Sequence, residues 1–449
     1  MSSADARASV VRRIASSPSA QATLLGLVLA AVAWARLDAT TRGTVWAEDG
    51  VVFLAERRGL GPWDSILHVY AGYLQVGPRL LSDLAGVVAP VELYAVTVTA
   101  LCCLTLGAIG ALVLVCTRGL VDSLVVRVAL ASVTVLVPAG PIETTGNLAN
   151  LHWYALWLAP WLLLARPGRW VTAAALGVVA LLAGLTEIQV ALFLPLVLLR
   201  LRDRRAWPAA AGLALGVAAQ VVASINHPRP RPTDDVPGLV DLAKGFLLNV
   251  VVPIWTPSVD GPGSPFADHG WWLALLMAVP FVLAGAALLV VTATSLVRRR
   301  SIDDRTTVFA AAALGVVVPF VAAIVLNPSS RLAYDSFTVA ELSERFPLRY
   351  GVVPAMFLIA TLLLWIDAWL RRPERWRVVT ATVLVVGVGG LLLWHVAPDG
   401  TRRSEGPGWR AGVAAAQAAC RAGEVPAPVA AAPKQDWAVV LDCPLLLDE

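Results

Sequence analysis

The sequence has 449 residues, of which 58% are hydrophobic and only 15% are charged, and its mean hydropathy is +0.72. A soluble protein of this length needs a larger charged surface than these residues can supply, so a soluble globular protein is excluded. The net charge is only +4, and no basic face is interleaved with stacking aromatic residues, so no nucleic-acid partner is expected. The composition predicts an all-α polytopic membrane protein, with the lipid bilayer as a partner.

The apolar runs set the number of membrane crossings. A bilayer core requires about 20 apolar residues per helix, and on that measure the sequence predicts about 11 transmembrane helices within one multi-span domain, residues 20–397. The expected spans lie near residues 20–37, 91–116, 125–139, 148–165, 170–185, 188–201, 206–225, 271–296, 306–326, 351–370 and 378–397.

Arginine-rich short loops, such as 118–127 and 202–205, predict the orientation in the membrane. They alternate with longer loops, and short arginine-rich loops favour the cytoplasm. With Arg12 and Arg13, this alternation predicts a cytoplasmic amino terminus (1–19) and an extracytoplasmic carboxyl-terminal tail (398–449). The expected location is the inner (plasma) membrane, and the Arg, Ala and Val richness is typical of a GC-rich bacterium. The expected outer loops are 38–90, 140–147, 226–270 and 327–350.

Within these outer segments the sequence predicts a few short elements. Residues 51–58, 78–88 and 239–252 have helical spacing with mixed polarity, which indicates amphipathic helices along the membrane surface. In the tail we expect a helix over 409–422, a linker over 425–433 and a strand over 437–442. Cys420 and Cys443 would face an oxidising compartment, which favours a disulfide that ties the tail together, with two free thiols as the alternative.

The acidic pair Glu48-Asp49 follows directly on the first apolar span. Carboxylates so close to a bilayer are costly unless water, a partner or a substrate accounts for them. A solvated interfacial turn with Trp46 as a membrane-interface aromatic is one interpretation. The other is a general base that deprotonates an acceptor hydroxyl, since repulsion between adjacent carboxylates keeps one of them basic.

Two further clusters of polar residues lie at the mouths of spans. Around residues 143–154, Glu143, Asn147 and His152 stand among amides and aromatics, which suit sugar hydroxyls but equally suit helix capping and interhelical hydrogen bonds. Arg345, Arg349 and Tyr350 lead into a late span, where they would bind a lipid phosphate or anchor the helix at the interface.

Two isolated charges complete the candidate site. Glu187 separates two apolar runs, so it is expected either to pair with an arginine or to contact a ligand. Arg79, near an apolar helix, is expected either to extend towards water or to bind an anionic group such as a phosphate.

The acidic pair after the first span, the many spans, the polar outer loops and Arg349-Tyr350 before a late helix together resemble the GT-C superfamily of integral membrane glycosyltransferases. These enzymes use polyprenyl-phosphate-linked sugar donors on the outer leaflet. The resemblance implies that the general base is Asp49, with Glu48 as its rival, and that Arg349-Tyr350 engage the donor phosphate. It also implies hexosyl or pentosyl transfer to a cell-envelope glycan, lipid or protein acceptor. The small cysteine-bearing tail departs from the larger carboxyl-terminal domain of many relatives.

Other interpretations of the sequence stay open. A multi-span secondary transporter of a polar or lipid-linked solute would use Glu187 well, although no internal repeat is visible. A non-catalytic assembly protein would leave the acidic pair unexplained. The short inner loops have no room for a nucleotide-sugar domain, which favours a lipid-linked donor. Acidic residues could hold a divalent metal, Mg²⁺ or Mn²⁺, but no ligand spacing requires one.

Overall fold

The fold is described from a computed structural model of the chain. It describes residues 17–229, 237–258, 269–299, 304–327, 332–343, 345, 349–371, 374–397, 400–433 and 437–447. Arg12 and Arg13 lie outside the described residues.

The described chain is mostly helical. Its α-helices are α1 (Pro18–Ala35), α2 (Ala39–Arg42), α3 (Ala55–Leu60), α4 (Pro62–Ile66), α5 (Val76–Val88), α6 (Tyr94–Cys116), α7 (Leu124–Leu136), α8 (Gly140–Glu143), α9 (Leu151–Leu164), α10 (Trp170–Thr186), α11 (Trp207–Asn226), α12 (Leu239–Phe246), α13 (Val252–Trp255), α14 (Trp271–Arg299), α15 (Asp304–Leu326), α16 (Val339–Ser343), α17 (Val352–Leu370), α18 (Arg375–Trp394), α19 (Trp409–Arg421) and α20 (Cys443–Leu446). Segments of π-helix cover Asp49–Leu54 and Leu247–Val251, and 3₁₀ segments cover Val91–Leu93, Ile188–Arg200, Arg204–Ala206 and Arg349–Gly351. Strands β1 (Val429–Ala430) and β2 (Ala438–Val439) pair antiparallel.

Eight of the described helices are long and apolar enough to cross a membrane. They contain α1, α6, α7, α11, α14, α15, α17 and α18. The expectation of a mostly helical, multi-pass membrane protein is therefore confirmed. Three shorter apolar helices, α9, α10 and Ile188–Arg200, coincide with the remaining expected spans.

The two apolar segments with the fewest residues, α9 and Ile188–Arg200, differ in how far they extend across a bilayer core. The helix α9 has 14 residues, so at about 1.5 Å per residue it extends about 21 Å, less than the thickness of a bilayer core. The segment Ile188–Arg200 has 13 residues in 3₁₀ conformation, and a rise of about 2.0 Å per residue carries it about 26 Å. Every residue of α9 is buried, so this helix lies at the centre of the bundle.

Arg36, at the end of α1, ties three helix ends together. Its side chain is 2% exposed, and a buried guanidinium is tolerated only where acceptors satisfy it. It donates to carbonyls after or at the ends of α7 and α18, those of Val135, Val137, Pro138, His395 and Val396. A cation at two helix carboxyl termini also complements their dipoles.

The tail folds into a small cap against the loop between α1 and α6. Cys420 of α19 and Cys443 of α20 form a disulfide, the pair expected from the sequence. Trp409 is fully buried, and its indole Nε1 donates to the carbonyl of Val91 at 2.7 Å.

The expected linker over 425–433 is wrong for its second half. Val429–Ala430 pairs with Ala438–Val439, and the backbone N–H of Ala432 donates to the carbonyl of Val45 at 2.9 Å. Small apolar side chains allow this close approach, and Ala431 and Ala432 are buried. The alanine- and proline-rich composition therefore does not indicate a linker here, because these residues make an ordered contact. The expected strand over 437–442 is correspondingly short.

Candidate active-site cavity

Several helix ends and one loop enclose a cavity of about 430 Å³. Contributions come from Glu48, the turn Tyr70–Tyr73, the first turn of α9, the start of the 3₁₀ segment after α10, the ends of α11 and α15, and the entrance to α17. The lining residues are Glu48, Tyr70, Ala71, Gly72, Tyr73, His152, Trp153, Glu187, Ile188, Gln189, Ser224, Pro228, Arg229, Leu326, Asn327, Arg349 and Tyr350. Five of the residues singled out in the sequence thus meet at one place: Glu48, His152, Glu187, Arg349 and Tyr350.

The two adjacent carboxylates have opposite environments. Glu48 lines the cavity, and its Oε2 atom has no hydrogen-bond partner among the described residues. Asp49 is 1% exposed and lies outside the cavity lining. Its carboxylate accepts hydrogen bonds from the backbone N–H groups of Leu148 and Ala149, both at 2.9 Å. Glu48 rather than Asp49 therefore faces the cavity, whereas the Asp49 carboxylate holds the loop before α9. The assignment of the base to Asp49, with Glu48 as its rival, stays a prediction.

Burial governs the ionisation of Asp49. It raises the pKa of this carboxyl from its ordinary value to about 7, while the two amide hydrogen bonds and Arg403 act in the opposite direction. The carboxyl accepts the hydrogen bonds of Leu148 and Ala149 and is not among the residues that line the cavity.

Arg349 supplies a cation to the cavity wall, and Glu143, which lies outside the cavity lining, pairs with it. Its Nη1 lies 2.9 Å from Glu143 Oε1, and the Arg402 Nη1 of the tail lies 3.3 Å from the same oxygen. The Glu143 side chain is 3% exposed and does not line the cavity, and it pairs with Arg349, which does. Its contact with a substrate stays a prediction. Arg402 also lies 5.6 Å from the centre of the Trp46 ring, which connects this arrangement to the acidic loop.

A buried imidazole–carboxylate pair forms another wall. His152 Nδ1 is hydrogen-bonded to Glu187 Oε2, and Glu187 Oε1 accepts the backbone N–H of Gln189 at 2.7 Å. Glu187 is therefore paired with a histidine rather than with the arginine that the sequence suggested. The His152 ring packs on Trp153 at a centroid distance of 4.4 Å, and Trp153 meets the Tyr350 ring at 5.8 Å.

The Tyr70–Tyr73 turn brings two phenols to the cavity. Tyr70 and Tyr73 exchange backbone hydrogen bonds of 3.1 Å across Ala71 and Gly72, which have φ of 51° and 86°. A positive φ is strained for alanine, and such strain is common at functional sites. Burial raises the pKa of Tyr70 to about 12 and also raises that of Tyr73. Both phenols are consequently protonated at neutral pH and can donate hydrogen bonds.

Three other predicted binding residues have structural partners. Asn147 is fully buried, and its Nδ2 donates to the backbone carbonyl of Glu143 at 2.6 Å. Arg79 is 1% exposed and pairs with Glu56 at 2.6 Å, so it neither extends to water nor lines the cavity. The guanidinium of Arg345 lies over the Phe337 ring and is not among the lining residues. None of the three lines the cavity, and their roles as anion or sugar ligands stay predictions.

Sequence reasoning did not select several lining residues as site residues. Ser224, Arg229 and Asn327 belong to the ends of α11 and α15, which lie far from the acidic pair along the chain. Among the missed lining residues, only Tyr70 and Tyr73 have a local signal in the sequence, which is two tyrosines close together beside Gly72. Arg229 and Asn327 are joined by a hydrogen bond, and Arg229 adds a second cation to the cavity.

The described residues do not gather a metal site. No group of three or more His, Cys, Asp or Glu side chains among them could hold a metal ion. The divalent-metal alternative, Mg²⁺ or Mn²⁺, therefore gains no support from this part of the chain.

Comparisons with protein-family models, with curated proteins and with solved structures find no match for this chain.

Proposed function

We propose that the protein is an integral membrane glycosyltransferase that moves a sugar from a polyprenyl-phosphate donor to an acceptor hydroxyl, with Glu48 as the general base. The observation that carries this proposal is the convergence of Glu48, Arg349 and four aromatic side chains on one cavity at the end of an apolar helix bundle. The aromatics are Tyr70, Tyr73, Trp153 and Tyr350.

Each part of the cavity matches one need of the reaction. The acceptor oxygen attacks the anomeric carbon, the bond from that carbon to the phosphate oxygen breaks, and the bond's electrons leave with the polyprenyl phosphate. Glu48 takes the acceptor proton, and Arg349 stabilises the charge that grows on the phosphate. Tyrosine and tryptophan rings offer flat apolar faces to a sugar ring, and their polar atoms donate to its hydroxyls.

Burial and unmet hydrogen bonds support a polyhydroxylated ligand. The Glu48 Oε2, Trp153 Nε1 and Gln189 Oε1 atoms are buried and have no hydrogen-bond partner among the described residues. A buried polar atom without a partner costs about 1–3 kcal/mol. Sugar hydroxyls, which both donate and accept, would satisfy all three.

The position of the cavity supports a lipid-linked donor. It opens among the ends of predominantly apolar helices, so a donor can keep its lipid tail in the bilayer while its head group enters. The loops at the other ends of these helices are short where they are described, such as the four residues Ala165–Gly168 between α9 and the cap residue of α10. They leave no room for a nucleotide-binding domain.

A transporter is the second candidate, and one observation favours it. Glu187 sits at a break in the chain, in extended conformation between α10 and the 3₁₀ segment Ile188–Arg200. Charged residues at helix breaks are typical of transporter binding sites. A transporter would move its solute without forming a glycosidic bond.

The test uses the full-length protein in liposomes with a radiolabelled polyprenyl-phosphate sugar and an envelope extract as acceptor. Wild type should form a labelled glycosylated product, and Glu48→Gln should lower the rate by about 10²–10⁴-fold with an unchanged melting temperature. Asp64→Asn is the matched control, because Asp64 is an exposed carboxylate of the same loop that does not line the cavity. Uptake of the label into liposomes without a glycosylated product would favour the transporter. Full activity of Glu48→Gln would contradict the assignment of Glu48 as the general base.

A further inference from the structure

The pair of His152 and Glu187 is built differently from an ordinary buried ion pair. Both side chains line the cavity, yet they are almost fully buried, with 10% of the histidine side chain and 3% of the glutamate side chain exposed. Each Glu187 oxygen accepts one hydrogen bond, from His152 Nδ1 and from the Gln189 backbone N–H. The carboxylate is thereby fixed in place by its own backbone.

This hydrogen bonding determines which ring nitrogen can act on a ligand. An ionised carboxylate can only accept a hydrogen bond, so with Glu187 ionised the donor is Nδ1 of His152. The other ring nitrogen, Nε2, is then the one left for proton transfer. A carboxylate that holds an imidazole by Nδ1 fixes the tautomer and orientation of the ring and compensates the charge of its protonated form. No hydrogen bond from Nε2 to another described residue occurs.

The ring also lies on the side of the cavity where the phosphate is expected. His152 packs on Trp153, Trp153 packs on Tyr350, and Tyr350 follows Arg349. Glu48 belongs to a different segment, the loop after α1. A base for the acceptor hydroxyl and a separate proton donor for the departing phosphate can act together in a displacement at the anomeric carbon.

We propose that His152, oriented by Glu187, is the general acid that protonates the departing phosphate. The proposal rests on the glycosyltransferase function proposed above. As the bond from the anomeric carbon to the phosphate oxygen breaks, the protonated ring gives its Nε2 proton to a phosphate oxygen. Glu48 takes the proton of the acceptor hydroxyl, so one proton is gained and one is lost within the cavity. Water then returns a proton to His152 and removes one from Glu48.

Glu187 acts here as a positioning residue. With Glu187→Gln, an amide replaces the carboxylate, and the side chain can present its NH₂ group to the ring, which favours the opposite tautomer. The rate should fall although the size of the side chain is kept. A purely structural pair would tolerate this substitution with little change in rate.

The chain offers a matched control. His68 Nδ1 lies 2.9 Å from Glu56 Oε2, the same atoms paired as in the cavity, but this pair does not line the cavity and its histidine side chain is 47% exposed. His68→Gln should therefore leave the rate of transfer unchanged.

The first arm of the test is spectroscopic and needs no activity. The chain has five histidines, so ¹⁵N-histidine labelling of the full-length protein in micelles gives few signals, and the His152→Gln spectrum identifies the relevant one. We expect a hydrogen-bonded proton on Nδ1 of His152 that is lost in Glu187→Gln. A neutral ring with its proton on Nε2 in the wild type would overturn the proposal.

The second arm measures transfer with the labelled donor. His152→Ala should lose about 10²–10⁴-fold in rate, and added imidazole should restore part of that loss, because a free imidazole can occupy the space and supply the proton. Full activity of His152→Ala, or a loss that imidazole does not relieve in a folded variant with unchanged melting temperature, would overturn the general acid alone. Absence of any product with wild-type protein would instead overturn the glycosyltransferase function itself.

Discussion

The two ends of α17 carry the same kinds of charged residue in different surroundings. At its start, Arg349 pairs with Glu143 beside the cavity of about 430 Å³. At its far end, Arg371 pairs with Asp367 at 2.7 Å beside a space of only about 30 Å³. Asp367 also accepts the backbone N–H of Ser123 at 3.0 Å.

The difference shows what separates a binding site from a structural ion pair. At the far end the charges satisfy each other, and Arg371 also reaches Asp122 at 2.8 Å. At the cavity end a neighbouring carboxylate, Glu48, keeps an atom without a partner among the described residues. A buried charge pair alone is therefore weak evidence of function, whereas charged residues that line a cavity together, as Glu48 and Arg349 do, are stronger evidence.

The largest expected effect contrasts the two arginines directly. Arg349→Gln removes the cation from the cavity and should lower the rate of sugar transfer by about 10²–10³-fold. The fold should be kept, because Arg402 Nη1 still lies 3.3 Å from the Glu143 carboxylate. Arg371→Gln leaves Asp367 buried without its arginine and should destabilise the fold by about 3 kcal/mol. Rates per folded molecule and melting temperatures in detergent measure the two effects. Equal loss of rate in both variants would contradict the contrast between the ends.

The next effect separates the adjacent carboxylates at the cavity end. Asp49→Ala leaves the N–H groups of Leu148 and Ala149 without acceptors and should cost about 2–4 kcal/mol of stability. Glu48→Ala removes a side chain that holds neither of these groups and should leave the melting temperature unchanged. Thermal unfolding of both variants decides the matter. A stable Asp49→Ala protein with low activity would return the role of base to Asp49.

The apolar runs predicted the positions of the apolar helices, because a bilayer core imposes length and polarity on each crossing segment. Eight of the 11 expected spans are long and apolar enough to cross a membrane, and three are shorter helices. That Glu48, His152, Glu187, Arg349 and Tyr350 need an explanation was also predictable, since polar side chains next to apolar spans are costly unless something satisfies them, and all five line one cavity. The choice between Glu48 and Asp49 was not predictable. Successive residues on a helical turn point about 100° apart, and only the packing of the loop before α9 determines which carboxylate faces the cavity.

The residues that sequence reasoning missed depend on contacts between distant segments. Arg229 and Asn327 meet only because the ends of α11 and α15 come together. The partners of Asn147 and Arg79, which are the Glu143 carbonyl and Glu56, were not predictable either, because local folding that composition does not reveal brings them together.

The carboxyl-terminal tail contacts the cavity end of α17. It packs on the loop that carries Glu48, and its Arg402 pairs with Glu143. Its disulfide closes a loop with a sequence separation of 23. The double variant Cys420→Ser with Cys443→Ser should destabilise the cap by about 3 kcal/mol through loop-closure entropy. In limited proteolysis, the double variant should be cleaved faster than wild type within residues 400–447 and at the same rate as wild type near Arg371. An unchanged cleavage rate in the tail would contradict a stabilising role for the disulfide.

The smallest effect tests whether the tail sets the position of the acidic loop. A Cβ added at Gly50 would lie 2.5 Å from Val439 Cγ2 and 3.0 Å from Val45 Cγ1, so Gly50→Ala should cost about 1–3 kcal/mol by overpacking. Val439→Ala removes the closer obstacle, so the double variant should recover about 1 kcal/mol relative to the sum of the two single changes. Because Gly50 follows Glu48 by two residues, the recovery should appear in the rate of transfer as well as in the melting temperature. Strictly additive effects would mean that strand β2 does not constrain the position of Glu48, and the cavity end would then owe its geometry to the helices alone.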